Sequence, residues 1–134
     1  MGIFRIPVFI KHLILIFIVL GIGYAYPYTP DPDKIFVHLD KSFYVAGETI
    51  HFSVYILNKK PVDSRIIHIE LLDVKDSVYI KQVLPVSDKT ASGKFELPIV
   101  LKEGNYLFRC YTAWNVNFGN DYIYYQVLPI YNEW

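Results

Sequence analysis

From Ile35 onward the chain alternates apolar and polar residues in short runs, and no later segment sustains a helical apolar period. Successive side chains of a strand point to opposite faces, so an apolar residue at every second position builds a sheet with one buried face. In Thr49–Leu57, Ile50, Phe52, Val54 and Ile56 point one way while His51, Ser53 and Tyr55 point the other. In Arg65–Leu72, Ile67, Ile69 and Leu71 oppose Ile66, His68, Glu70 and Leu72. In Asn105–Ala113, Tyr106, Phe108 and Cys110 share a face opposite Leu107, Arg109 and Tyr111. Ile35–Leu39, Val78–Leu84, Lys94–Leu97 and Tyr122–Ile130 complete a set of seven predicted strands. Such strands hide their apolar faces by packing two sheets together, so the expected class is all-β, a seven-stranded immunoglobulin-like sandwich.

The breaks between these runs have their own chemistry. Ala46-Gly47-Glu48 supplies a residue tolerant of positive φ before the second strand. Asp73–Ser77 reads as a polar hairpin loop, Ser87–Gly93 as a longer one, and Asn115–Asp121 as the closure of the final hairpin. Glu103-Gly104-Asn105 is a tight corner, and Tyr106 follows it directly. Immunoglobulin-like sandwiches place a tyrosine there, with its hydroxyl returned to upstream backbone, so the role expected of Tyr106 is structural.

Residues 1–25 have the three parts of an export signal. Arg5, Lys11 and His12 form a positive start, Leu13–Ile22 runs without a charge, and Gly23-Tyr24-Ala25 offers small residues for cleavage before Tyr26. The apolar run is short of the roughly 20 residues of a spanning helix, and Pro27 stops it going further. The expectation is a signal-peptide helix that touches the membrane only in transit, and a product exported to the periplasm, the cell envelope or the exterior. Three prolines in residues 26–34 predict an extended linker apart from the core, leaving 35–134 as the sandwich domain. Arg5 and Lys11 are the only charges of the leader, so the remainder carries 11 basic against 13 acidic residues. That surface has no basic excess to displace counterions, and a nucleic-acid partner is not expected. Cys110 stands alone and admits no intramolecular disulfide; mid-strand and opposite Arg109, it reads as a small buried thiol.

Two stretches together resemble a known family. One is His38-Leu-Asp-Lys-Ser-Phe-Tyr-Val-Ala-Gly-Glu-Thr-Ile-His-Phe52, a form of Asp-Lys-x-x-Tyr-x-x-Gly-Glu/Asp-x-Ile/Val-x-Phe; the other is Gly104-Asn-Tyr-Leu-Phe-Arg-Cys-Tyr-Thr-Ala-Trp114 with Asn117–Tyr122 after it. Over about Lys34 to Ile130 the chain resembles the second macroglobulin-type domain of α2-macroglobulin-like proteins, in the version that opens large exported bacterial envelope proteins. The resemblance implies a macroglobulin β-sandwich, with other envelope proteins or further macroglobulin domains as partners. Asp40 and Lys41 end a strand, Tyr44 folds over the turn, Gly47 allows the bend, and Ile50 and Phe52 enter the core; these are residues that build a fold rather than an activity. In the inhibitory members activity depends on a bait segment and a Cys-Gly-Glu-Gln thioester. Neither is in this sequence, and Cys110 within Phe-Arg-Cys-Tyr cannot form that thioester. Trp134 falls just past the last predicted strand, which fits either a first module of a longer protein or a solitary one.

No catalytic, cofactor or metal site is expected. His38, His51 and His68 lie on three predicted strands without ligand-like spacing, and His51 and His68 are expected in opposite sheets, as those two strands normally are in such a sandwich. Asp31 with Asp33, and Asp73 with Asp76, read as solvated turn carboxylates rather than a calcium site. Ser42, Ser53, Ser77, Ser87 and Ser92 lack a Gly-x-Ser-x-Gly setting, and no phosphate-cradling glycine loop occurs. The expected function is therefore a non-catalytic module with a structural or protein-interaction role; the alternatives are a fragment of a macroglobulin-type protease inhibitor, or a carbohydrate-binding module. Aromatic surface is what remains unassigned: Tyr55, Tyr79, Tyr111 and one of Tyr122 or Tyr124 face outward, with Trp114 and Phe118 near the last hairpin loop. The long apolar run Tyr122–Ile130 is expected to leave part of an edge open to self-association.

Overall fold

The computed structural model describes residues 31–57 and 66–132, besides the isolated Pro7. The export signal at 1–25, and the linker up to residue 30, lie outside the described residues. Eight strands follow one another: β1 (Ile35–Leu39), β2 (Tyr44–Val45), β3 (Thr49–Ile56), β4 (Ile66–Leu72), β5 (Val78–Pro85), β6 (Thr90–Glu96), β7 (Gly104–Tyr111) and β8 (Tyr124–Tyr131). They form two sheets, β1-β3-β6 and β2-β8-β7-β4-β5, packed as a sandwich. All pairs are antiparallel except β2 with β8.

Alternation positions the buried face of β3 as read from sequence, with Ile50, Phe52, Val54 and Ile56 buried and His51 exposed. From the other sheet Ile67, Ile69 and Leu71 of β4, Tyr106, Phe108 and Cys110 of β7, and Leu128 and Ile130 of β8 meet them. Phe52, Phe95 and Phe108 stand at the centre with ring centroids 5.2–5.9 Å apart and tilted or edge-on planes, the arrangement that aromatic quadrupoles favour.

Three expectations change. The seven strands become eight, because Tyr44–Val45 leaves the three-stranded side to pair with Ile130 and Tyr131 of β8. Two residues are too few to show an alternation. Ser87–Gly93 is not a long loop: Ser87 and Thr90 exchange backbone hydrogen bonds of 2.9 Å, while Asp88 and Lys89 take φ of 48° and 64°. This is a two-residue turn, and β6 begins at Thr90 rather than at Lys94. Gly93 thus lies mid-strand opposite Phe52, where a Cβ would meet Phe52 Cζ at 2.8 Å and Leu84 Cδ1 at 2.9 Å. Finally, residues 115–122 form two short 3₁₀ turns, so β8 starts at Tyr124 rather than at Tyr122.

The corners are held by named groups. The Tyr106 hydroxyl donates to the Lys102 carbonyl at 2.8 Å, the tyrosine corner expected from the sequence. Asp73 Oδ1 accepts the N–H groups of Lys75 (2.8 Å) and Ser77 (2.9 Å), which closes the β4–β5 hairpin while Asp76 takes φ of 60°. Asp33, expected in a solvated linker, is buried instead. The Thr112 hydroxyl lies 2.7 Å from Asp33 Oδ2, and Asn115 Nδ2 donates to the carbonyls of Asp33 (2.8 Å) and Tyr122 (2.7 Å). Thr112 also contacts Asn115 Oδ1. This node ties the start of β1 to the loop after β7, so residues 31–34 pack as part of the sandwich.

Candidate functional site

The first sequence signature resolves into a hydrogen-bonded knot at the β1–β3 connection. Tyr44 is fully buried, its hydroxyl donates to Asp40 Oδ1, and the Lys41 N–H donates to that hydroxyl at 3.2 Å. Asp40 Oδ1 also accepts the His51 N–H at 3.0 Å. Glu48 accepts the Val45 N–H at 2.9 Å and pairs with Lys41 Nζ at 2.7 Å, while Gly47 turns the chain at φ of 90°. Burial, then the Asp40 hydrogen bond, raises the Tyr44 hydroxyl well above its ordinary range. Burial works against the Asp40 carboxylate, but its bonds from Tyr44 and the His51 N–H outweigh that and hold it below the usual value. Asp40, Lys41, Tyr44 and Glu48 thus satisfy one another and nearby backbone N–H groups, so this part of the signature is an architectural lock.

The chemistry-rich surface lies on the outer face of the five-stranded sheet. Register places Lys81 of β5, Glu70 of β4, Arg109 of β7 and Tyr125 of β8 in one row across four strands. The Glu70 side chain is only 3% exposed, and both its oxygens are engaged. Oε2 takes Arg109 Nε at 2.7 Å and Nη2 at 2.5 Å; Oε1 takes the Tyr111 hydroxyl at 3.1 Å and Lys81 Nζ at 3.2 Å. Burial by itself would raise the Glu70 carboxyl, but the Arg109 and Lys81 contacts prevail and keep it lowered. Arg109 also bonds the Tyr125 side chain and lies over the Tyr111 ring at 5.8 Å. In the next row His68 stacks on Tyr111, centroids 5.0 Å apart at 14°, and its Nδ1 is buried without a partner among the described residues. Ile66, Val83 and Val127 border these rows as exposed apolar side chains.

The other sequence candidates do not converge. His51 sits on the three-stranded sheet and His68 on the five-stranded one, and His38 is on β1 facing Ser53 in register. Ser53 and Ser92 hydroxyls pair with each other across β3 and β6 at 3.1 Å. Asp31 lends its carbonyl to Trp114 Nε1, and Asp73 caps its own turn. Among the described residues no group of three His, Cys, Asp or Glu side chains is placed to hold a metal ion. Cys110 is fully buried, and burial pushes its thiol up to about 12. Tyr55, Tyr79 and Tyr122 are exposed as expected, whereas Tyr111 is half-buried and committed to Glu70. Phe118 contacts both Trp114 and Tyr122 edge-on in the β7–β8 loop. Sequence reasoning singled out neither Glu70 nor Tyr125. The available signal for Glu70 was a lone acid among apolar neighbours on β4, with Arg109 the one basic residue of β7.

This arrangement can be compared with solved structures. Over 78% of its length the chain superposes on Salmonella α2-macroglobulin reacted with methylamine, with a TM-score of 0.62 and 14% identity. The domain has a macroglobulin-like fold. Over 74% of the chain the trypsin-activated α2-macroglobulin of Escherichia coli gives a TM-score of 0.60 at 14% identity, and the native E. coli protein gives 0.58 at 13%. The matched part is 6–7% of the length of those chains. No protein-family model matches the sequence, and no curated protein matches it by sequence. At such identity the macroglobulin likeness is one of fold.

Proposed function

We propose that the chain is an exported, non-catalytic macroglobulin-like module that binds other proteins of the cell envelope, or neighbouring macroglobulin domains, through the outer face of its five-stranded sheet. The observation that carries the reading is the row Lys81–Glu70–Arg109–Tyr125. Its acid is saturated by three donors, so the row is rigid rather than reactive, and exposed apolar side chains flank it. Rigid polar centres with aromatic and arginine anchors are the make-up of protein-recognition surfaces. The leader supports export, and the fold supports a place among envelope macroglobulins. A second reading, part of a macroglobulin-type inhibitor, draws on the fold match to a small part of those chains.

The test places a photo-crosslinker at Val83, on the outer face, and separately at Tyr55, on the three-stranded sheet, in cells that make the protein. The expected result is a discrete adduct in the envelope fraction from position 83 alone, on a chain whose N-terminus is Tyr26. Retention in the cytosol, equal adducts from both positions, or a hydrolytic activity abolished by one side-chain substitution would each overturn the proposal.

A further inference from the structure

β8 is flanked on one side by β7 from Tyr124 to Ile130, but on the other side, among the described residues, β2 covers only Ile130 and Tyr131. The Tyr131 carbonyl faces β2, where it accepts the Ala46 N–H at 2.9 Å. Main-chain groups alternate sides along a strand, so Pro129, Val127 and Tyr125 present theirs to the same open side. Pro129 has no N–H to offer. At the other end the Ile123 N–H is already bonded to the Asn120 carbonyl at 3.1 Å. Among the described residues the open edge therefore holds two unpaired donors, Tyr125 and Val127, bounded at each end by a residue with none to give.

The stretch Tyr122–Asn132 contains no charged residue, whereas the edge strands β5 and β6 carry Lys81 and Lys94 at their middles. Charged side chains on an edge are the usual guard against pairing, and here the guard is reduced to Pro129. Tyr125 and Val127 are 39% and 58% exposed on the outer face, and Gln126, on the other, is half-buried and accepts the Tyr124 hydroxyl at 2.7 Å.

We propose that this edge pairs antiparallel with the same edge of a second copy, about a two-fold axis at Gln126. In that register each Tyr125 exchanges both backbone bonds with Val127 of the other copy, four bonds in all, and every free donor is used. Ile123 falls opposite Pro129, so the ladder ends where donors end. The 3₁₀ turn at Asn120–Tyr122 takes the incoming chain out of the strand before it reaches the place β2 occupies at Ile130. The two five-stranded sheets become one continuous sheet, with Tyr125 and Val127 forming cross-strand pairs on its outer face.

The register makes the test specific. Gln126 faces itself across the axis as a non-hydrogen-bonded pair, with Cα atoms about 4.5 Å apart, inside the range that a disulfide spans. On the purified full chain, Gln126→Cys should give an interchain disulfide under mild oxidation, while Tyr125→Cys and Val127→Cys should not; native Cys110 is buried and does not compete. Sedimentation velocity over a concentration series should show dimer. Val127→Pro removes two of the four bonds without touching β7, and should weaken the dimer roughly twenty-fivefold at about fivefold per bond. Should that variant fail to fold, Val127→Lys, which sets two like charges diagonally across the axis, should give monomer. A monomer throughout overturns the proposal, including one whose edge instead captures an extended strand of another polypeptide. Cross-links at position 125 or 127 in place of 126, or a dimer indifferent to both substitutions at Val127, overturn it too.

Discussion

Replacing Arg109 by methionine keeps the aliphatic stem that lies across the sheet and removes the charge. Glu70 then keeps Lys81 at 3.2 Å and the Tyr111 hydroxyl at 3.1 Å, but Oε2 loses both its donors and stays buried. Removing one partner of a buried ion pair costs about 3–5 kcal/mol, and a single charge-assisted bond is worth about 1.5–3 kcal/mol. Because Arg109 is itself a quarter exposed and Lys81 remains, the expected loss falls in the lower of these ranges, about 2–3 kcal/mol at pH 7. In a domain of this size that lowers the thermal midpoint by roughly 10–20 °C. The pH dependence separates an electrostatic loss from a packing one. Glu70 is held below its ordinary value of 4.5 in the folded chain, so its stabilisation is complete above that value and disappears as pH falls through the lowered one. The gap between wild type and Arg109→Met in urea unfolding should thus be full at pH 7 and shrink steadily below about pH 4.5. A double-mutant cycle with Glu70→Gln should return a coupling of at least about 1 kcal/mol. A gap unchanged between pH 7 and pH 3, or a coupling near zero, would refute the ion-pair account and leave Arg109 as mere packing.

Tyr106→Phe loses the bond to the Lys102 carbonyl and should cost about 1 kcal/mol in urea unfolding, with the fold kept by circular dichroism. Gly93→Ala drives a methyl against Phe52 and Leu84, and should destabilise by about 1–3 kcal/mol by the same assay, although alanine suits a strand better than glycine. The Cys110 thiol, raised by burial to about 12, should resist an aromatic disulfide reagent at pH 8 in the native chain and react in full in denaturant.

What was legible in the sequence was whatever depends on neighbours along the chain. Ile50, Phe52, Val54 and Ile56 alternate because a strand in a sandwich buries every second residue, and β1, β3 and β4 fall where that period runs. Tyr106 after Gly104, and the spacing from Asp40 to Phe52, are local arrangements whose partners lie within a dozen residues, so they also read through. Tertiary structure decided the rest. Glu70 looks like an outward-facing acid until β7 places Arg109, 39 residues away, against it; Asp33 looks solvated until Thr112, 79 residues away, closes over it. β2 owes its identity to Ile130 and Tyr131, and Gly93 lies in a strand by pairing with Phe52, whose ring occupies the space a side chain there would need. The chain passes from the five-stranded sheet to the three-stranded one through Asp88 and Lys89, which adopt positive φ although neither is a glycine. Periodicity reports which face of a strand is buried. Which strand lies beside it, and hence which polar groups become a site and which edge stays open, is set by long-range pairing that no local window contains.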